Sequence, residues 1–193
     1  REFGLVLLDD ASSDQTEEMS RALAQRDPRV RYHRHATRQG MVPTWREVVG
    51  LAAEAFPSAE YFAWVSDHDD WHPRWHEALA GALDGRPEVV LAYPFMQRVF
   101  PDERRSVSRV FSTERMPSPF ARLRAATTMM TAGNCIYGLF RARALEQAGV
   151  FRGVLMPDRQ VLLALCLLGE FIQVPQVLWY REVAGMFSYT RQR

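Results

Sequence analysis

Residues 61–73 read YFAWVSDHDDWHP, an apolar run that ends in three acidic side chains within four positions. The apolar part, YFAWVS, has the length and aromatic content of a buried strand, and Pro73 stands where a helix, PRWHEALAGAL, is expected to open. The same succession occurs upstream. FGLVLL (3–8) is a continuous apolar run of the kind buried on both faces of a sheet, and it stops at Asp9-Asp10. ASSDQTEEMSRALAQ then changes to helical spacing, with Met19 and Leu23 on one face. Ser13 or Asp14 is the expected cap, and Asp14 with Glu17 is the expected capping box. RVRYHRH (29–35) alternates as a strand and PTWREVVGLAAEAF (43–56) reads as a helix. This alternation predicts an α/β fold with a mostly parallel central sheet flanked by helices.

Downstream, EVVLAYPFMQRVF (88–100) reads as a strand, and residues 101–119 lose periodicity. A helix over 119–130, a strand at NCIYGLFR (134–141), helices at RARALEQAG and PDRQVLLALCLLG, and a final strand at FIQVPQVLWYR (171–181) follow. At 193 residues and 47% hydrophobic composition, the chain suits one domain with a substantial core.

Composition removes several classes of function. All 24 basic residues are arginine, which excludes mechanisms that need a Walker lysine or a Schiff-base lysine. With 23 acidic residues in balance and no basic stripe, nucleic acid is not an expected partner. No run reaches the roughly 18 apolar residues of a transmembrane helix, and the opening residues lack a signal-peptide pattern. The expected localisation is cytoplasmic, including the periphery of a membrane. Cys135 and Cys166 lie in apolar stretches without CxxC spacing and read as buried thiols.

In open α/β sheets ligands bind beyond the carboxyl ends of the strands, where Asp9-Asp10 and Asp67–Asp70 both fall, so the two clusters predict one site. If residues 67–69 are extended, Asp67 and Asp69 share a face while His68 points away. Two carboxylates without cysteine form a hard oxygen site for Mn²⁺ or Mg²⁺, completed by a diphosphate. The alternative is that these residues serve only as loop and cap groups. His68, His72 and His76 recur at four-residue spacing, but Pro73 interrupts a shared helix face, and loop or cap roles are expected for them. Trp71 and Trp75 have two readings, stacking on a ligand or packing their helix on the sheet, and packing is favoured.

LVLLDDASSDQT resembles the "vvDDgStDgT" signature of inverting family 2 glycosyltransferases of the GT-A fold. FAWVSDHDDWHP resembles that family's DXD region, and GVFRGVLMPDRQVLLALCLLGEFIQVPQVLWYR its "GgFde…eDxdl…yR" stretch. The resemblance spans nearly the whole chain and implies one glycosyltransferase domain over 1–193, with a nucleotide-sugar half (1–100) and an acceptor half (101–193). It implies that Asp10 contacts the nucleotide base or ribose, and that Asp67 and Asp69 hold ribose and metal-bound diphosphate. Asp158 falls where the family keeps its catalytic base; the competing reading is an N-cap after Pro157. The donor implied is a nucleotide diphosphate sugar, and the acceptor a saccharide or lipid-linked hydroxyl.

The departures are specific. Trp45 stands at the family's "GxxxARN" arginine, with Arg46 beside it, either a diphosphate or nucleotide contact or a solvated helix arginine. Pro157 replaces the usual glutamate before the base. The family's opening strand, "vsviiPtyN", has no counterpart before REFGLVLLDD, so an N-terminally truncated domain is expected. A phosphohydrolase of the haloacid dehalogenase type would want Thr or Val where this chain has Trp71. A nucleotidyltransferase of similar fold and a non-catalytic nucleotide-sugar-binding module stay open as alternatives.

Overall fold

The computed structural model describes residues 2–130 and 133–183. Among the described residues eight strands and six α-helices follow in the order β1 (Leu5–Asp9), α1 (Thr16–Arg26), β2 (Val30–Arg34), α2 (Met41–Ala55), β3 (Tyr61–Phe62), β4 (Asp70–Trp71), α3 (Trp75–Leu83), β5 (Val89–Val99), β6 (Arg105–Val107), α4 (Pro119–Met129), β7 (Leu139–Arg141), α5 (Ala142–Ala148), α6 (Pro157–Leu168) and β8 (Glu170–Glu182). A 3₁₀ turn, Gly133–Tyr137, precedes β7 and replaces the first half of the expected 134–141 strand. The backbone leaves the extended region there, and Gly138 then passes so close to β5 that a Cβ would lie 2.6 Å from the Ala92 carbonyl oxygen.

The α/β class holds, but the expected parallel sheet is a mixed one. Among the described strands β1 and β2 form a separate parallel pair, in register Leu5↔Val30 to Asp9↔Arg34. The remaining strands run in the order β3-β7-β5-β8-β4, with β6 also on β5. Only β5 and β8 are parallel there; β3–β7, β5–β7, β4–β8 and β5–β6 are antiparallel. Strand direction was not legible because a helix between two strands permits a parallel crossover without forcing adjacency.

The long β5–β8 pair is the axis of the domain. Its register shifts near Pro94 and opposite Pro175-Gln176, where Pro94 pairs with Val174 and Phe95 with Val177. Proline donates no hydrogen bond, and the extra residues fall on β8, Pro175-Gln176 and then Leu178, so β8 bulges there against a continuous β5. The bulge lets the far half of β8 continue to Glu182 and take β4 on its other side, Asp70 opposite Tyr180 and Trp71 opposite Trp179. Apolar clusters cover both faces of the sheet. One gathers Val90, Leu91, Phe140 and Phe171 with α4, α5 and α6 residues such as Ala126, Leu145 and Leu162; the other gathers Leu79 and Leu83 of α3 with Val89, Ala92 and Ile172.

α1 differs from its expected burial. Met19 and Leu23 are exposed, and no residue of α1 is buried, because a two-stranded ribbon offers the helix little surface. The N-cap is Gln15, with no side-chain cap bond. Asp14 instead accepts the Thr16 backbone N–H and hydroxyl, a local turn that uses up the carboxylate before it can cap. α3 likewise opens at Trp75 rather than Pro73.

Candidate active site

The turn after β3 does not continue the strand. Backbone pairing stops at Phe62, and residues 67 and 68 form a turn, so the alternation expected to bring Asp67 and Asp69 onto one face does not apply. The Asp67 side chain is 98% exposed and hydrogen-bonded to its neighbour His68 (Nδ1 to Oδ1, 3.0 Å). The Asp69 side chain is 1% exposed, and neither of its oxygens has a hydrogen-bond partner. Its one counter-charge among the described residues is Arg181 of β8, Nε to Oδ1 at 3.9 Å, which the β4–β8 ladder brings alongside. That distance is an ion pair without a hydrogen bond. A carboxylate so buried and so poorly paired fits a place for a divalent cation.

Trp71 fixes this turn. Its indole Nε1 donates to the Ser66 carbonyl (3.1 Å), and its ring stacks on Trp179 at 5.4 Å and 4° and meets Trp75 edge-on. Trp71 and Trp75 therefore pack, as favoured from the sequence. His72 accepts the Arg74 backbone N–H ahead of α3, a cap role, and no group of three potential metal ligands occurs among the described residues.

Tyr137, at the end of the 3₁₀ turn, packs against Trp179 (4.9 Å between ring centroids) and edge-on to Trp45. Burial pushes its phenol above the ordinary range, the Arg181 charge draws it back, and the negative charges of Asp69, Asp158 and Asp67 add to the rise. Four of the charged groups thus act on one hydroxyl. Sequence reasoning missed Tyr137, because nothing in GNCIYG marks it, and gave Arg181 no role although it lies in the quoted WYR.

Asp158 is in the first turn of α6, not at its cap. The N-cap is Met156, held at φ 54°, and Pro157 is the first helical residue. Asp158 makes no hydrogen bond or ion pair among the described residues. The capping alternative is thereby set aside, and the carboxylate is available to a ligand. Arg46 of α2 reaches this segment from the other side, donating from Nε to the Phe151 carbonyl (2.6 Å), so it braces the approach to α6. Trp45 stacks on Trp64 in the core. Asn134 lines a small cleft with Tyr93, Ser108 and Gln173.

Asp9 and Asp10 organise the other end of the ribbon. Burial works against the charge of Asp9, but the Ser12 N–H, the Tyr32 hydroxyl and Arg34 outweigh it and hold the carboxyl below its usual range. Asp10 accepts from His35 Nδ1 (2.8 Å), Gln39 N (2.7 Å) and Gly40 N (2.8 Å). These bonds overcome its burial and lower its pKa to about 2. Asp10 therefore builds the β2–α2 loop, and no hydrogen bond or ion pair links it to the 67–69 turn among the described residues.

His35 also meets Glu47 (Nε2 to Oε2, 3.0 Å), and the bonds to Asp10 and Glu47 raise its pKa above the ordinary 6.5. A raised folded pKa gives stability that is complete below about pH 6.5 and lost as pH rises through the folded value. Asp10 contributes in the opposite direction, present above its ordinary 3.8 and lost towards 2. Thermal melts should therefore fall between pH 6 and 8 in the native chain, and His35→Asn should flatten that slope. An unchanged slope in the variant would show that this network does not govern it.

Cys135 and Cys166 are buried and unpaired, and burial pushes both thiols up to about 12, as expected of inert thiols. No helix among the described residues is long and apolar enough to cross a membrane.

Comparison with curated protein sequences gives no match. Among solved structures, the fold is similar to the mannosyltransferase PcManGT from Pyrobaculum calidifontis, solved in complex with GDP-Man and Mn²⁺, at a TM-score of 0.61 and 18% identity. The match covers 97% of this chain and 50% of that one, so this chain spans about half the length of that relative. It establishes the GT-A architecture. The family model described as Glycosyl transferase family 2 matches residues 1–149, well over half of the sequence, and the chain belongs to that family.

Proposed function

We propose that this domain transfers a sugar from a nucleotide diphosphate sugar to an acceptor hydroxyl, with inversion at the anomeric carbon. The observation that carries this reading is the enclosed Asp69 carboxylate, both of whose oxygens lack a hydrogen-bond partner, in the turn after β3 of a chain of this family. Asp69 would hold Mn²⁺ or Mg²⁺, with Asp67 turning in from solvent to join it. Bound there, the cation supplies Lewis acidity that offsets the charge gathering on the departing diphosphate. Asp158 takes the proton of the acceptor hydroxyl as that oxygen attacks from the face opposite the leaving group. Free of protein hydrogen bonds, its carboxylate has both oxygens available for that work.

Asp10 shapes the loop that borders the nucleotide, and its Oδ2 keeps room for one further donor, such as a base N–H or ribose hydroxyl. Arg46 orients the segment bearing Asp158 through Phe151, and as an exposed residue it would be open to nucleotide contact. Residues 1–100 would form the nucleotide-sugar half and 101–193 the acceptor half. Val154, Leu155 and Met156, directly before Asp158, are exposed, Leu155 to 92%. An apolar rim beside the base suits a lipid-linked acceptor better than a free saccharide, met at the periphery of a membrane on its cytoplasmic side.

The deciding experiment is a panel of nucleotide diphosphate sugars incubated with Mn²⁺, with and without chelator. At least one should lose its sugar to water or to an added acceptor, and chelation should stop it. Nucleotide binding without turnover of any donor would favour the non-catalytic binding module instead.

A further inference from the structure

The buried Asp69 carboxylate poses an unanswered balance of charge. Its side chain is almost wholly enclosed, both oxygens lack hydrogen bonds, and its one opposing charge is the Arg181 guanidinium 3.9 Å away. The Arg181 guanidinium in turn makes no hydrogen bond among the described residues and its side chain is one-quarter exposed, so beyond the Asp69 contact its planar fork of donors is uncommitted. The ladder partners Asp70↔Tyr180 and Trp71↔Trp179, and the stacked rings of Trp71 and Trp179, fix the two backbones relative to one another. The side chain of Arg181 is left without a hydrogen bond to hold it.

A divalent cation on Asp69 would stand within a few ångströms of that guanidinium. Two cations so close repel, unless an anion with several oxygens lies between them. A diphosphate is such an anion, and a guanidinium binds its oxygens in a bidentate manner. Resting on the donor chemistry proposed above, we infer that Arg181 is the second cation of the diphosphate site: it neutralises Asp69 while no metal is bound, and turns onto the diphosphate when metal and donor enter. The residue thereby couples the two binding events. Without nucleotide it competes with the metal for Asp69; with nucleotide it assists.

Arg181→Gln separates these roles by sign. Measured by Mn²⁺ titration without nucleotide, the variant should bind the metal as tightly as the native chain or several-fold more tightly. Measured by calorimetry with Mn²⁺ present, its affinity for GDP or UDP should fall about tenfold or more, while guanosine or uridine binding is unchanged. A merely structural arginine would weaken both together, and that result, or an unchanged diphosphate affinity, overturns the inference while leaving the transferase reading intact. Absence of Mn²⁺-dependent GDP and UDP binding in the native chain would overturn the reading itself. Arg181→Lys keeps the charge and serves where glutamine does not fold. It should retain native Mn²⁺ affinity and lose part of the diphosphate affinity, and loss of neither or of both overturns the assignment equally.

Discussion

Asp158→Asn should leave donor binding intact while sugar transfer falls about 10²-fold or more, the usual contribution of a positioned general base. Asparagine keeps the size of the side chain but takes no proton from an acceptor hydroxyl. The position isolates that chemistry unusually well. Asp158 sits in the first turn of α6, behind the Met156 cap and Pro157, and holds no backbone N–H. Its structural contribution is therefore limited to negative charge near a helix N-terminus, typically about 0.3–1 kcal/mol, or a few degrees in a melt. Donor affinity, single-turnover transfer and a thermal melt on the same preparation give three readouts. Near-native transfer would remove Asp158 from the mechanism, and a large loss of donor affinity would place it in the nucleotide pocket.

The elements whose formation is dictated locally were legible, and those that depend on partners were not. FGLVLL, EVVLAYPFMQRV and FIQVPQVLWYR carry their strand character in their own apolar runs, and each is found within a residue or two of its expected place. Their directions and neighbours depend on crossovers that no local pattern records, so the mixed sheet and the separate β1–β2 ribbon emerge only in three dimensions. The candidate site divides in the same way. Asp69 and Asp158 stood out by residue type and order along the chain, but opposite burial of Asp67 and Asp69 follows from a turn that begins where strand pairing stops. Arg181 and Tyr137 lie 112 and 68 residues beyond Asp69 (181 − 69 and 137 − 69), and only the β4–β8 ladder and the close passage of Gly138 along β5 bring them in.

The contrast between the two aspartates leads to a prediction with two signs. Asp69→Asn should abolish the Mn²⁺-dependent part of nucleotide diphosphate binding, and should also raise the melting temperature of the metal-free protein. The first effect follows because a neutral amide is a poor ligand for a hard dication, and the carboxylate it replaces is the buried member of the pair. The second follows from the surroundings of that carboxylate without metal, enclosed and bonded to no donor, with Arg181 at 3.9 Å its one opposing charge among the described residues, an arrangement that burial penalises. A neutral side chain of the same shape lowers the cost of that burial, and Arg181, one-quarter exposed, keeps access to water. Asp67→Asn should behave differently: its exposed side chain leaves the metal-free melt unchanged, and any loss is confined to metal-dependent binding. His72→Ala serves as a control, since its ring nitrogen accepts from Arg74 N–H and leaves the metal untouched. Melts of the three variants with and without Mn²⁺, beside nucleotide titrations, test the set. A destabilised Asp69→Asn that still gains stability from Mn²⁺ would show that Asp69 is a structural carboxylate and that the cation, if bound, sits elsewhere.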